Sequence, residues 1–187
     1  MKDPNNYLIH EEIQGDLFFT SDPHFGHKNI IKYANRPFKN IKEHDKALIE
    51  NWNDVVTDND TVICQGDFSL TKDDYTREIM GKLHGKKILI RGNHDQSHAK
   101  MLSFGFYRSV PNLIFGQFYM VHNPNNIGLK THKNSRKIIL AGHTHQKQKI
   151  IRINDRPIIN MCCDAWEFRP VKMSELKEYC RKWYCIL

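Results

Sequence analysis

Apolar positions along the chain gather into short runs that break off at polar residues. Six of these read LFF at 17–19, TVIC at 61–64, KILI at 87–90, FYMV at 118–121, KIIL at 137–140 and PIIN at 157–160. Runs of this length, rich in β-branched and aromatic residues, mark strands covered on both faces. Between the early runs the period changes to three and four, and Ile41, His44, Leu48, Trp52 and Val55 predict a helix over 41–55. Further helices are expected over 73–83, over 96–103 and over 173–185, where Met173, Leu176, Cys180 and Trp183 share one side. NDRP at 154–157 has the residues of a hairpin turn between two late strands. Helix-separated strands early and strand-rich sequence late predict an α/β domain with a partly antiparallel or second sheet. No repeat or Pro/Gly-rich linker divides residues 1–187, so a single domain is expected.

Composition narrows the class. With 187 residues, 40% hydrophobic and 26% charged, the chain can bury a core and has neither a disordered nor a fibrous profile. No apolar run reaches the roughly 18 residues of a membrane span, and the opening MKDPNNYLIHEEIQGD lacks the apolar stretch of a signal peptide. A cytoplasmic protein with no membrane partner is expected. Five cysteines, an odd number without a CxxC pair, argue against a disulfide framework or a thiolate zinc site. Cys162 and Cys163 are read as strand neighbours facing opposite ways. A net charge of +7 makes nucleic acid a candidate partner. The basic residues Lys130, Lys133, Arg136 and Lys137 around THKNS are read as a solvated loop.

The chemistry sits where the apolar runs end. Asp22 and His24 follow the first run and Asp67 the second; Asn93, His94 and Asp95 follow the third. His122 follows the fourth, and His143 and His145 the fifth. In open α/β sheets ligands bind beyond the carboxyl ends of strands, so these groups can converge although they are distant in sequence. Carboxylate, imidazole and amide donors without thiolate suit divalent Mn, Fe, Zn or Ni. The candidates are too numerous for one ion and about right for two sharing a bridging carboxylate, an arrangement that clamps the attacking and leaving oxygens of a displacement. Two divalent ions would outweigh two carboxylates and a hydroxide, leaving a positive site that fits a phosphate ester.

The ordered set SDPH, GD, GNHD, a strand-end His and GHTH resembles the metallophosphoesterase (calcineurin-like phosphoesterase) superfamily, from residue 17 to about 166. Within it, HFGHKNIIKY…NRPF and the N…DAW…RPV string at 160–171 resemble the small capless members of bacteria and phages. The resemblance implies a two-sheet β-sandwich flanked by helices, with a dinuclear metal site at the strand ends. It implies one ion, Mn foremost, held by Asp22, His24, Asp67 and His145, and a second held by Asp67, Asn93, His122 and His143. His94 would act as the acid toward the leaving oxygen, with Asp95 orienting its ring. The sequence departs from the family pattern in HNP at 122–124, in FSL after Asp67, and in Pro23, which is expected to hold Asp22 extended so that Asp22 and His24 reach one ion. HKNIIKY is expected to begin a helix whose N-terminal amides could receive an anion, which makes His27 and Arg36 candidate contacts to substrate phosphate, with a structural brace at the PF turn as the alternative for Arg36. The expected activity is hydrolysis of phosphate esters, phosphodiesters ahead of monoesters, by a metal-bridging hydroxide. The competing readings are a phosphomonoesterase or protein phosphatase and a binding module that has lost turnover.

Overall fold

A computed structural model describes residues 7, 8, 10–126, 137–153 and 156–184. Ten strands form two five-stranded sheets. The first orders as β10 (Val171–Lys172), β1 (Leu17–Thr20), β2 (Thr61–Cys64), β3 (Lys86–Ile90) and β4 (Arg108–Val110), with β1 to β4 parallel and β10 antiparallel at the edge. The second orders as β5 (Asn112–Phe115), β6 (Phe118–Val121), β7 (Ile138–Ala141), β9 (Arg156–Asn160) and β8 (Ile150–Ile153). There β6, β7 and β9 run parallel, with β5 and β8 antiparallel at the edges.

Strand alternation explains why the runs are apolar throughout. Leu17, Phe19, Ile63, Ile88 and Ile90 meet Phe118, Met120, Ile138, Leu140 and Ile159 in one core between the sheets. Their neighbours Phe18, Val62, Cys64 and Leu89 face the other way, onto a helical layer. That layer comprises α2 (Ile41–Asn53), α3 (Asp73–Lys82) and α4 (His98–Ser103), which contribute Leu48, Trp52, Ile79, Met80 and Met101. On the second sheet Tyr119, Val121, Ile139, Ala141 and Ile158 form a third buried cluster. The central strands β1, β2, β3, β6 and β7 thus bury both faces, the condition that makes a parallel strand read as a continuous apolar run. The architecture is the expected two-sheet sandwich flanked by helices.

Several local expectations are corrected. HKNIIKY yields only one helical turn, α1 (Ile30–Tyr33). β4 and β5 escaped the periodicity because β4 has three residues, two of them the polar Arg108 and Ser109, and Pro111 interrupts the chain just before β5. On the closing helix α5 (Met173–Tyr184), Leu176 and Cys180 are fully buried, but Trp183 is 58% exposed and packs on Tyr179 instead of the core. Cys162 and Cys163 lie beyond β9, in an isolated bridge to Ser21 and a 3-10 turn, and both are buried. The residues 154–155 of the NDRP turn, and Lys130, Lys133 and Arg136, lie outside the described residues. Among the described residues no helix is long and apolar enough to cross a membrane.

Candidate metal centre

Five strands deliver the candidate ligands to one end of the sandwich. β1 leads to Asp22 and His24, β2 to Asp67, β3 to Asn93, β6 to His122, and β7 to His143 and His145. The turns that bring them together are left-handed: φ is 57° at Asp22, 53° at His24, 50° at Asp67, 73° at His143 and 50° at His145. A non-glycine residue pays about 1–2 kcal/mol for that conformation. Five such residues in one cluster mean that the side chains, which glycine would lack, are what the position requires. Asp22 is therefore not extended. Its N–H is bonded to the Gly66 carbonyl at 3.0 Å and that of His24 to the Asp67 carbonyl at 3.0 Å, so cross-strand bonding shapes the turn around Pro23.

Asp67 lies at the middle. Its Oδ1 accepts from the His94 N–H at 2.9 Å, whereas Oδ2 lies 3.6 Å from His24 Nε2 and 3.4 Å from His122 Nε2. One carboxylate oxygen thus faces both halves of the cluster. On one side stand Asp22, His24 and His145, with Asp22 Oδ1 3.8 Å from His145 Nε2 and the His24 and His145 rings 5.0 Å apart. On the other stand Asn93, His122 and His143: His122 Nε2 is 2.9 Å from Asn93 Oδ1 and 3.3 Å from His143 Nδ1.

The donor set fits divalent cations. Asp22 Oδ1 and His24 Nε2 are buried and have no hydrogen-bond partner, a costly state for a polar atom unless something else engages it. Asp22 Oδ2, by contrast, accepts from Ser21 Oγ, from the His143 N–H at 2.9 Å and from Cys162 Sγ at 3.2 Å. Cys162 is within ligand range of Asp22 and His145, yet it packs behind the carboxylate, opposite the orphaned Oδ1. Burial also pushes its thiol pKa well up, as does the nearby Asp22. Burial holds His24 neutral, its pKa lowered to about 2. His122 goes the other way: burial opposes its charge, but its bond to Asp67 and the charges of Asp22 and Asp67 raise it to about 9. Its Nδ1 donates to the Gln65 carbonyl at 2.8 Å, which directs Nε2 at Asp67 and Asn93.

The other expected residues divide. His94 is exposed at the mouth, its ring 5.6 Å from that of His24 and 6.4 Å from that of His27. Asp95 does not orient it. The Asp95 carboxylate instead accepts the N–H groups of Gly92 at 2.7 Å, Asp67 at 2.9 Å and Phe68 at 2.9 Å, tying the loops after β2 and β3 together. Gly92 lies so close to Asp67 that a Cβ there would overlap the carboxylate. His27 is half-buried, beside His24 at 3.3 Å between their Nδ1 atoms.

Arg36 is not placed to hold substrate. It is 4% exposed, and its five N–H groups are spent on Asp164 (2.9 and 2.8 Å), the carbonyls of Pro23 and Asp22 (2.9 and 2.7 Å) and His44 Nε2 (2.7 Å). Burial opposes its charge, but Cys163, Asp164 and Asp22 keep its pKa raised. Because His44 accepts from Arg36 at Nε2, it donates from Nδ1 to Asp45, whose carboxylate also receives the Gly26 N–H and the Tyr75 hydroxyl. Asp164 in turn lies 3.2 Å from His145 Nδ1. Sequence reasoning assigned no role to Asp164, or to Asn160, whose amide donates to the Gln146 and Gln148 carbonyls beyond His145. Both stand in the N…DAW string, which was the available signal.

The family model described as the calcineurin-like phosphoesterase superfamily domain matches residues 17–161. An uncharacterized protein of Methanocaldococcus jannaschii is 36% identical over 165 residues, covering 84% of this chain and 87% of its own. The Gene 66 protein of Mycobacterium phage L5 is 27% identical, covering 81% of this chain and 87% of its own. The crystal structure of a protein of unknown function from Aquifex aeolicus shares the fold, with a TM-score of 0.67 at 23% identity, covering 88% of this chain and 98% of that one.

Proposed function

The chain belongs to the calcineurin-like phosphoesterase superfamily, and from that premise we propose that it is a dinuclear metal-dependent phosphoesterase acting on phosphodiesters. The observation behind this reading is Asp67 Oδ2, set between His24 Nε2 and His122 Nε2 as a bridging ligand would be. Asp22, His24, Asp67 and His145 would hold one ion, and Asp67, Asn93, His122 and His143 the other. Manganese is the first choice, with Fe, Zn and Ni compatible with the same donors. When bound, such a pair supplies Lewis acidity and a hydroxide nucleophile near neutral pH.

The chain's own residues do the rest. His94 stands at the open mouth with its backbone anchored on Asp67, where an imidazole can deliver a proton to a departing oxygen. Its backbone bond to Asp67 Oδ1 leaves Oδ2 to the ligand role. His27, half-buried beside His24, remains the candidate contact to substrate phosphate. With His94 exposed beside the cluster and the described residues taken up by the two sheets and their helices, the site admits a phosphate carrying a substituent on either side, which supports diesters over monoesters.

The test is a hydrolysis screen with added Mn across a monoester, a simple diester, 2′,3′- and 3′,5′-cyclic nucleotides, and single-stranded DNA and RNA, alongside metal analysis. Two ions per chain and turnover of a diester are expected. Asp67→Asn should lower occupancy and activity together. Full activity in a metal-free protein would overturn the mechanism, and two bound ions with no turnover of any ester would favour a binding module.

A further inference from the structure

Beside the second half of the cluster opens a cavity of about 380 Å³. Asn93 and His122, both in the cluster, line it together with the loop after β3, the turn between β4 and β5, and the 123–126 turn. Its polar lining is distinctive. Four asparagine side chains, Asn93, Asn112, Asn123 and Asn126, face it together with Arg91, and among the described residues no carboxylate or lysine does. The volume falls in the range of small-molecule sites.

The chemistry of the lining selects the occupant. Each amide offers both a donor and an acceptor, so several amides around one cavity match a neutral group whose edge carries both. Arg91 alone is a weak match for a bare phosphate beside four amides, and the mixture of those amides with Pro111, Tyr119 and Val121 suits a flat ring with a polar edge better than an alkyl group. A nucleobase edge presents donor and acceptor side by side, the pattern an asparagine amide reads in bidentate fashion. Asn123 uses its carbonyl oxygen on the Asn125 N–H at 2.9 Å, whereas no hydrogen bond is recorded for the side chains of Asn112 and Asn126 among the described residues, which leaves both amides available to a ligand.

We infer that this cavity is a nucleoside subsite, which makes the substrate a nucleoside phosphodiester with its base among Asn112, Asn123 and Asn126 and its phosphate at the ligand cluster. This rests on the phosphoesterase reading. It assigns recognition to the β4–β5 and 123–126 turns, which hold no candidate metal ligand.

Two esters with the same leaving group separate recognition from chemistry: thymidine 5′-(p-nitrophenyl) phosphate and methyl p-nitrophenyl phosphate, assayed with the Mn-loaded protein. The nucleoside ester should have the higher kcat/KM, mainly through KM. The ratio of the two kcat/KM values should fall about 10-fold or more in Asn112→Ala/Asn126→Ala, in line with roughly 1–3 kcal/mol per bidentate amide–base pair. Independently of turnover, thymidine titrated into the metal-free protein should shift the side-chain amide resonances of Asn112 and Asn126. Hydrolysis of both esters with equal KM and no amide shifts would overturn the subsite and leave the phosphoesterase reading standing. Amide shifts without hydrolysis of either ester would uphold the subsite and overturn that reading.

Discussion

Asp22 shows how a candidate ligand is aimed from behind. Three donors occupy Oδ2, namely the Ser21 hydroxyl, the His143 N–H and the Cys162 thiol, and together they leave Oδ1 as the only oxygen free to meet a cation. The Ser21 hydroxyl oxygen also lies 2.8 Å from the Gln65 carbonyl, which receives His122 Nδ1, so its one proton is shared between the two acceptors. One hydroxyl therefore touches the supports of both halves of the cluster. Removing such a support typically weakens metal binding 10- to 100-fold, and Ser21→Ala should lose about 10-fold in Mn affinity by chelator competition with the fold intact. Asp95 gives a contrasting case. Were it to serve the His94 ring, Asp95→Asn would keep the ions and lower the rate, as His94→Ala should. Its three backbone partners predict something else: the amide nitrogen of Asn cannot accept from N–H groups, so the variant should lose both stability and metal. Thermal melts beside metal analysis decide between the two, and an Asp95→Asn protein with full occupancy and an unchanged melt would contradict the loop-tying role.

At the level of elements, the buried Arg36 joins three pieces of chain that carry or support ligands. It holds the carbonyls of Asp22 and Pro23 after β1, Asp164 in the turn after β9, and His44 on α2. Removing one partner of a buried ion pair costs about 3–5 kcal/mol because the other charge is left unpaired. Arg36→Met should therefore destabilise the fold by about that much. Arg36→Lys keeps the charge but cannot reproduce the planar fork. It should melt only modestly lower yet lose affinity for the ion on the Asp22–His145 side, whereas a substrate contact at this position would raise KM and leave the metals alone. The strand ends, and hence the cluster of candidate ligands that the fold gathers there, were legible because period and residue type are local signals. This clamp was not, since Arg36 and Asp164 are 128 residues apart and only the folded chain brings them together. The turn at Pro23 was misread for the same reason: its local preference for extended geometry yields to bonds from Asp22 and His24 to the loop after β2.

At the scale of the whole molecule, a chain of net charge +7 concentrates buried carboxylates at one end of its sandwich. Asp22 and Asp67 are 0% and 2% exposed, and they draw a proton onto His122, raising its pKa to about 9 against the effect of burial. The metal-free cluster therefore already holds a positive charge where a cation would sit, while His24 stays neutral and ready to coordinate. The sign of the coupling follows. Below about pH 9 a metal ion competes with the His122 proton, so loading releases that proton and apparent affinity rises with pH. With one proton displaced, affinity should rise about tenfold per pH unit between roughly pH 6 and pH 8 and flatten as the His122 pKa is approached. Calorimetric titration of Mn into the metal-free protein, repeated in buffers of different ionisation enthalpy at pH 7.5, should report release of at least one proton per chain. Replacing Asp67 by Asn removes the main partner of the His122 proton and should reduce both the release and the pH slope. Metal binding that releases no proton and is flat across that range would mean that the carboxylates do not charge His122, and would remove the electrostatic basis for cation binding at this end of the fold.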